Sequence, residues 1–308
     1  MVKLDFDLKR DVPELTGKVI LITGGTNGLG AAAAMMLGSR NPTKIYITGR
    51  NESAAQHVIA NIKSIGAHTE TTWIRCDHAN LASVKEAAEV ICAKESRLDV
   101  LMANAGVMAL PPGLTDDGYE LQFGINQVAH ALLIRKLLGL LRKTAEEHGE
   151  ARIIPVSSLA LVLAPRGHGI VFDDLKTTQA YWILGKWQRY AQSKLANLIY
   201  GRELSRRYPE ILTLVADPGP SNTGLVSNLG FFDKMIVYLG NINRFLDVDQ
   251  GHWNQVWAVG VPKDQAKPGE LYEPVGKPSQ GYTHWCLDPQ LAARLWEWTE
   301  EELKPWLT

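Results

Sequence analysis

Short apolar runs alternate along the chain with segments in which apolar residues recur at helical spacing. The runs are rich in β-branched side chains, which is typical of strands buried in a parallel sheet. Predicted strands cover residues 18–22, 44–48, 71–75, 98–102, 152–156, 212–216 and 269–273. Predicted helices cover residues 31–37, 52–65, 81–94, 125–141, 190–207 and 289–303. This alternation requires right-handed crossovers, so we expect an α/β protein with a parallel sheet and helices on both faces.

A glycine-rich segment separates the first predicted strand from the first predicted helix. It reads Thr23-Gly24-Gly25-Thr26-Asn27-Gly28-Leu29-Gly30 and is called the glycine turn below. Glycines let the backbone approach a pyrophosphate, and the helix N-terminus supplies free N–H donors. The same spacing also occurs in plain strand-to-helix turns, but the flanking elements favour a dinucleotide site. The residues expected to bind are Gly24, Thr26, Asn27, Gly28, Leu29 and Gly30.

Length and charge narrow the classes of function. The chain has 308 residues, of which 45% are hydrophobic, and neither a linker nor a repeat divides residues 1–308. We therefore expect one Rossmann-type domain with a doubly wound sheet. The 32 Lys+Arg balance 33 Asp+Glu, which argues against a nucleic-acid partner or an anionic membrane surface. Residues 225–239 are apolar but include Asp233 and Lys234 and are too few to span a bilayer.

The cysteines and the first residues predict a reducing compartment. Cys76, Cys92 and Cys286 are isolated, and neither they nor the histidines have the spacing of metal ligands. This argues against disulfides and against a bound metal. Residues 1–7 carry charges where a signal peptide needs an apolar run. We expect a cytoplasmic protein.

Further motifs follow the glycine turn in a fixed order. They are Asn104-Ala105-Gly106, the run from Thr115 to Asn126, and Tyr190-Ala191-Gln192-Ser193-Lys194. Together these motifs resemble the short-chain dehydrogenase/reductase superfamily, and within it the retinol-dehydrogenase-like branch and its fungal relatives. The resemblance extends from about Leu15 to the terminal helix. It implies a nicotinamide cofactor and an oxidoreductase.

Tyr190 and Lys194 are the candidate catalytic pair. Residues at positions i and i+4 share one face of a helix, so both side chains can point into one cleft. A free phenol has a pKa of about 10, and a nearby ammonium is expected to lower it toward neutrality. Such a pair also occurs in ordinary amphipathic helices, but its place after the fifth strand favours proton transfer by Tyr190. The resemblance adds a contact from Lys194 to the nicotinamide ribose.

Ser158 and Asn126 complete the predicted catalytic set. Ser158 follows the fifth strand, at the sheet edge where ligands bind. The resemblance implies that it is the substrate-binding serine, whose hydroxyl would orient the substrate oxygen toward Tyr190. Ser157 is the alternative, although it suits a turn-forming serine better. Asparagine is a poor helix former. The resemblance implies that Asn126 perturbs its helix and holds a water that links Lys194 to solvent.

The end of the second predicted strand indicates the choice of cofactor. An NAD-binding fold usually has a carboxylate there, about 20 residues beyond the glycine turn. This chain has Gly49 at that position, followed by Arg50. A carboxylate repels a 2′-phosphate whereas a guanidinium binds one, so we expect NADP(H). The alternative is that Arg50 is a solvated loop residue.

The resemblance assigns the rest of the cofactor site. It places Asp77 at the adenine, Asn104 at the ribose, and Ala105 and Gly106 where small residues admit the cofactor. Pro218, Gly219, Ser221 and Thr223 would hold the nicotinamide carboxamide. Pro220 and Asn222 depart from the commoner apolar form of that segment.

Two segments rich in large apolar residues are candidate walls of the substrate site. The first lies between Ser158 and Tyr190, and the second covers 225–245. We expect the second to be a lid over a lipophilic substrate. Either segment could instead cover the core or a partner subunit, which leaves a homodimer open.

These features predict an NADP(H)-dependent carbonyl reductase or alcohol dehydrogenase. The substrate would be a lipophilic ketone, aldehyde or secondary alcohol. Two alternatives stay open at this point. One is a dehydratase, isomerase or cyclase on the same fold, and the other is a nucleotide-sensing regulatory protein.

Overall fold

Six parallel strands form the central sheet of the computed structural model, which describes residues 4–65, 68–182, 184–220, 230, 233–235 and 245–307. Their order across the sheet is β3-β2-β1-β4-β5-β6. The strands are β1 (Val19–Ile22), β2 (Lys44–Gly49), β3 (Glu70–Arg75), β4 (Val100–Ala103), β5 (Ala151–Pro155) and β6 (Ile211–Thr213). The strand order reverses between β1 and β4, which opens a crevice at the carboxyl ends of these strands.

Helices connect successive strands, as the alternation predicted. They are α1 (Leu8–Asp11), α2 (Gly28–Gly38), α3 (Glu52–Ser64), α4 (Leu81–Lys94), α5 (Leu121–Phe123), α6 (Ala129–His148), α7 (Gly185–Arg207), α8 (Trp253–Gly260) and α9 (Pro289–Leu307). A π-helical turn, Gly124–Val128, joins α5 to α6 and is called the π segment below. Short 3-10 turns lie at Leu159–Leu163, Phe172–Asp174, Val248–Gln250, Lys263–Gln265 and His284–Leu287. The predicted α/β fold is confirmed.

The sixth predicted strand differs from the expectation of one uninterrupted strand. It consists of β6 and β7 (Val215–Ala216), with Leu214 between them. The Leu214 N–H bonds Ile153 in β5, whereas the next N–H bonds Glu270 on the opposite side. β7 therefore pairs with β8 (Leu271–Glu273), which in turn pairs antiparallel with β9 (Lys277–Pro278).

The sheet is buried on both faces. In β1, Val19 and Leu21 belong to one apolar cluster, whereas Ile20 and Ile22 belong to the other. Successive side chains of a strand point to opposite faces, so this division is what a covered parallel sheet requires. Full burial of each such side chain contributes about 1.5–3 kcal/mol. The core thus fixes the strand ends on which the candidate site is built.

Candidate active site

The glycine turn leaves open space at the N-terminus of α2. A Cβ atom on Gly30 would lie 2.4 Å from the Gly24 carbonyl oxygen, so this position has no room for a side chain. Gly28 has φ +55°, and a Cβ built on it would meet nothing within 4 Å. Asn27 caps α2 by accepting a hydrogen bond from the Gly28 N–H at 2.7 Å. Backbone donors and free space of this kind fit a pyrophosphate.

A cavity of about 390 Å³ extends from the glycine turn to α7. Its walls come from the segments that follow β1, β2, β3, β4 and β5, and from α7. The predicted residues that line it are Gly24, Thr26, Asn27, Gly28, Leu29, Gly30, Arg50, Asp77, Asn104, Ala105, Gly106, Tyr190, Lys194 and Pro218. Predicted residues Ser221 and Thr223 lie outside the described residues.

The end of β2 offers a cation instead of a carboxylate. The Arg50 side chain is 72% exposed, and its Nη1 lies 4.0 Å from Oδ2 of Asp77 across the cavity mouth. Gly49 is packed against Thr26, whose Oγ1 would lie 2.4 Å from a Cβ built on Gly49. A carboxylate at position 49 would therefore require Thr26 to move.

Asn104 braces the cavity wall through its side chain. Its Nδ2 donates to the Thr23 carbonyl at 2.8 Å, and its Oδ1 accepts from Nε2 of Gln255 at 2.8 Å. The amide thereby ties the end of β1 to α8. Sequence reasoning missed Gln255, because no local motif connects it to a residue 151 positions earlier.

Tyr190 and Lys194 lie together on the buried face of α7. Their side chains are almost fully buried, and Lys194 Nζ lies 5.7 Å from the centre of the Tyr190 ring. The ammonium donates a hydrogen bond to the Val156 carbonyl at 2.9 Å. The Ser158 side chain is close enough to the Tyr190 hydroxyl to lower its pKa. The structure therefore brings three of the four predicted catalytic residues to the carboxyl end of β5.

Ser157 and Ser158 have different surroundings. Ser157 is buried, and its hydroxyl donates to the backbone carbonyl of Lys194 at 2.7 Å. Ser158 is half-buried, and its Oγ also accepts a hydrogen bond from the Ala160 N–H at 3.2 Å. Ser158 acts on the pKa of the Tyr190 hydroxyl, whereas Ser157 is the serine that lines the cavity.

Burial shifts the pKa values of the catalytic pair in opposite directions. It raises the pKa of the Tyr190 phenol, while the Ser158 side chain lowers it. It lowers the pKa of Lys194 to about 8, against the attraction of Asp217. The phenol pKa is therefore raised, not lowered as predicted, because desolvation and the Asp217 charge outweigh the effect of Ser158.

Asp217 is a buried carboxyl group that sequence reasoning did not single out. Its Oδ1 accepts a hydrogen bond from the Gly219 N–H at 3.0 Å, and burial raises its pKa to about 6. Its charge acts on both Tyr190 and Lys194. A charged residue directly before Pro218-Gly219 was the available signal.

Asn126 lies inside the π segment, so the irregularity expected at this position is present. Its Oδ1 accepts from the Val107 N–H at 2.8 Å, and its Nδ2 donates to the Val107 carbonyl at 3.0 Å. Nδ2 also donates to Oγ of Ser193 in α7 at 2.9 Å. Asn126 thus joins the segment after β4 to the helix that carries Tyr190 and Lys194.

Comparison with known proteins agrees with this geometry. The family described as short chain dehydrogenase matches residues 18–170. An uncharacterised oxidoreductase of Schizosaccharomyces pombe is 41% identical over 304 residues, which cover 96% of this chain and 88% of that protein. The chain belongs to the short-chain dehydrogenase/reductase family.

Two further matches cover most of this family member. Human polyprenol dehydrogenase is 30% identical over 289 residues, which cover 92% of this chain and 84% of that protein. A crystal structure of an uncharacterised protein from Mycobacterium paratuberculosis has a TM-score of 0.73 and 28% identity, and covers 96% of each chain. The chain is therefore a nicotinamide-dependent oxidoreductase of this family. No helix within its described ranges is long and apolar enough to cross a membrane.

Aromatic and apolar side chains pack beside Tyr190 in this dehydrogenase/reductase. The Trp187 ring lies edge-on to the Tyr190 ring, with centroids 6.5 Å apart. Trp187 Nε1 donates to Asp233 at 2.9 Å, and Lys186 Nζ also bonds that carboxylate. Apolar side chains that pack on this pair are Met108, Ala109, Ala160 and Phe245.

The two predicted substrate segments have different outcomes. In the first, Leu161 and Phe172 belong to the main core, whereas Trp182 is 99% exposed. The core alternative therefore holds for part of that segment. Most of the predicted lid, 225–245, lies outside the described residues.

Proposed function

We propose that this protein is an NADP(H)-dependent oxidoreductase that interconverts a lipophilic ketone or aldehyde with its alcohol. The observation that carries the proposal is the pair Tyr190 and Lys194, which lies on one face of α7 in the wall of a cavity that begins at the glycine turn. Ser158 is close enough to the Tyr190 hydroxyl to lower its pKa. That cavity runs from the N-terminus of α2 to α7, and the free backbone N–H groups of the glycine turn would bind the pyrophosphate of a dinucleotide. The bound cofactor supplies or accepts the hydride at its nicotinamide ring.

The preference for NADP(H) rests on the end of β2. Arg50 is exposed at the cavity mouth, and Thr26 occupies the space that an acidic side chain at position 49 would need. A guanidinium binds a phosphate through charge-assisted hydrogen bonds. Arg50 therefore attracts the 2′-phosphate of NADP(H). Gly49 gives the ribose of NAD(H) no carboxylate to bind.

The chain's own residues then handle the proton. Ser158 holds the substrate oxygen and Tyr190 donates a proton to it during reduction, or accepts one during oxidation. Lys194, through its bond to the Val156 carbonyl, keeps a positive charge close to the phenol as the phenol loses its proton. An oxidised nicotinamide adds further positive charge, which opposes the burial that raises the phenol pKa.

The proposed substrate class rests on the surroundings of Tyr190. Trp187, Met108 and Phe245 pack in one apolar cluster with Tyr190, which suits a substrate with an apolar body. A relative in the comparison bears the name polyprenol dehydrogenase, and a polyprenol is a long lipophilic alcohol. We extend the proposal to residues 225–245 as a lid over that body.

The remaining parts of the proposal concern organisation and location. We propose a single cofactor-binding domain over residues 1–308 and a cytoplasmic location, for which the unpaired cysteines Cys76, Cys92 and Cys286 give support. A homodimer is compatible with this organisation.

The test is turnover with a panel of lipophilic carbonyl compounds and NADPH or NADH in parallel. We expect NADPH absorbance at 340 nm to fall with an apolar carbonyl, and kcat/KM for NADPH to exceed that for NADH by about tenfold or more. Conversion of a substrate without net cofactor oxidation would favour a dehydratase, isomerase or cyclase. Tight NADPH binding without any conversion would favour a nucleotide sensor.

A further inference from the structure

Two buried histidines from different parts of the chain hold the π segment. His78 follows β3, and its Nδ1 lies 3.3 Å from the Ile125 carbonyl oxygen. His130 lies at the start of α6, and its Nδ1 lies 2.8 Å from the Asn126 carbonyl oxygen. The two rings meet edge to face with centroids 4.5 Å apart. Consecutive carbonyls of one turn therefore each bond a histidine.

The shifted helix pattern makes the first of these carbonyls available. The Ala129 N–H bonds the Gly124 carbonyl, five residues earlier. A regular α-helix would instead use the Ile125 carbonyl, four residues earlier. Here that carbonyl faces His78. π-helical turns are rare and occur often at functional sites, and here the two histidines bond the carbonyls of such a turn.

The hydrogen bonds of His130 determine which ring nitrogen carries the hydrogen. Nδ1 faces the Asn126 carbonyl, which can only accept, so Nδ1 is the donor. Nε2 is then an acceptor and lies 2.8 Å from Oγ1 of Thr23. That oxygen already accepts the N–H groups of Asn104 and Ala105, both at 2.9 Å, so its own hydrogen can go to Nε2.

The surroundings of His130 keep the ring neutral. Burial lowers its pKa well below the usual value, and His78 and Lys194 lower it further, while the bond to Asn126 acts in the opposite sense. His78 is also disfavoured as a cation, since burial lowers its pKa to about 4. A neutral His130 with its hydrogen on Nδ1 satisfies both partners at once.

We propose that His130 is a positioning residue for the reaction, which ties the cofactor cradle to Asn126. The connection runs from Thr23, directly before Gly24, through the imidazole to Asn126, and from there to Ser193 in α7. Without the imidazole, the Asn126 carbonyl loses its side-chain partner and the π segment loses its connection to Thr23. The proposal rests on the proposed function, in which Asn126 supports the proton relay through Lys194.

The first test observes the imidazole itself and needs no substrate. Long-range ¹⁵N–¹H correlation spectra of ¹⁵N-histidine-labelled protein distinguish the two tautomers, and His130→Phe assigns the signal. We expect the Nδ1–H tautomer and no titration between about pH 5 and pH 8. An Nε2–H tautomer, or a titration near the ordinary value, overturns the proposal.

The second test separates positioning from stability. His130→Phe keeps the ring volume and removes both hydrogen bonds, and His130→Gln retains a side-chain donor. We expect His130→Phe to lower kcat about tenfold or more while KM and the NADPH Kd change by less than about threefold, with partial recovery in His130→Gln.

The matched control is Thr144→Val, on the same helix. Thr144 is buried, accepts from the Leu98 N–H and donates to the Leu140 carbonyl, far along α6 from the π segment. We expect this control to lose stability but keep kcat within about twofold. A His130→Phe kcat within about twofold of wild type, or an equal loss in Thr144→Val, contradicts the proposal. If wild type converts no carbonyl, the proposed function fails, and the tautomer measurement still shows whether His130 joins Thr23 to Asn126.

Discussion

Lys194 Nζ and the Val156 carbonyl oxygen are joined by a 2.9 Å hydrogen bond at the end of β5. The same oxygen accepts from Nδ2 of Asn197 at 3.0 Å, so it keeps a partner if the lysine is replaced. The bond fixes the ammonium on the face of α7 that carries Tyr190. The protein therefore holds the buried Lys194 side chain beside the Tyr190 ring.

Tyr190→Phe should remove turnover but leave cofactor binding intact. The lost hydroxyl is the proposed proton donor, so kcat should fall about a hundredfold or more. Stopped-flow or steady-state kinetics measure the loss, and fluorescence titration with NADPH gives the Kd. Retention of most of the wild-type kcat would show that another group transfers the proton.

Lys194→Met should stabilise the fold while it removes activity. A lysine whose pKa is lowered by burial from 10.5 to about 8 disfavours the folded state by at most roughly 3 kcal/mol when charged. That cost is fully present below about pH 8 and disappears as the pH rises through 10.5, where the unfolded lysine also becomes neutral. Since packing and a hydrogen bond change as well, we expect a net gain of about 1–2 kcal/mol at pH 7.

Urea unfolding of wild type and Lys194→Met at several pH values checks this expectation. The difference in the free energy of unfolding should shrink between about pH 8 and pH 10.5. A variant that is less stable than wild type at pH 7 would mean that the ammonium stabilises the fold. Lys18→Met is a suitable control, because Lys18 is a partly exposed lysine in an ion pair with Asp99.

Arg50→Ala should weaken NADPH binding and leave NADH binding nearly unchanged. A charge-assisted contact with the 2′-phosphate contributes about 1.5–3 kcal/mol, and only NADPH has that phosphate. Parallel titrations with the two cofactors measure the difference. Equal losses of affinity for NADPH and NADH would mean that Arg50 supports the loop and does not bind the 2′-phosphate. The reciprocal change Gly49→Asp is a poorer test, because its Cβ would lie 2.4 Å from Oγ1 of Thr26.

Asp217→Asn should move the alkaline limb of the pH–rate profile to lower pH. The Asp217 charge raises the pKa of Lys194, which burial brings down to about 8. Without that charge, Lys194 loses its proton at a lower pH. The amide can still accept from the Gly219 N–H, so the loop should be retained. If the alkaline limb stays at the wild-type pH, the ionisation of Lys194 does not control the rate.

Local sequence was sufficient to predict the helix that carries Tyr190 and Lys194 and to predict the glycine turn. Tyr190 and Lys194 lie on one helix, and the glycines at 24, 28 and 30 lie in one turn. A local sequence pattern is therefore enough to identify each group. Asp217, His130 and Gln255 were missed because their partners are distant in the chain or reached only by the folded path of the backbone. The division of the sixth strand at Leu214 likewise depends on β8, some 57 residues later.

The most direct test of the central claim follows the hydride itself. The protein is incubated with NADPH that carries deuterium at both C4 positions and with a lipophilic aldehyde from the panel, and the product is analysed by mass spectrometry. The account predicts one deuterium on the former carbonyl carbon of the alcohol, and no such product with Tyr190→Phe. Converted substrate without deuterium, with the label retained in the cofactor, would contradict it.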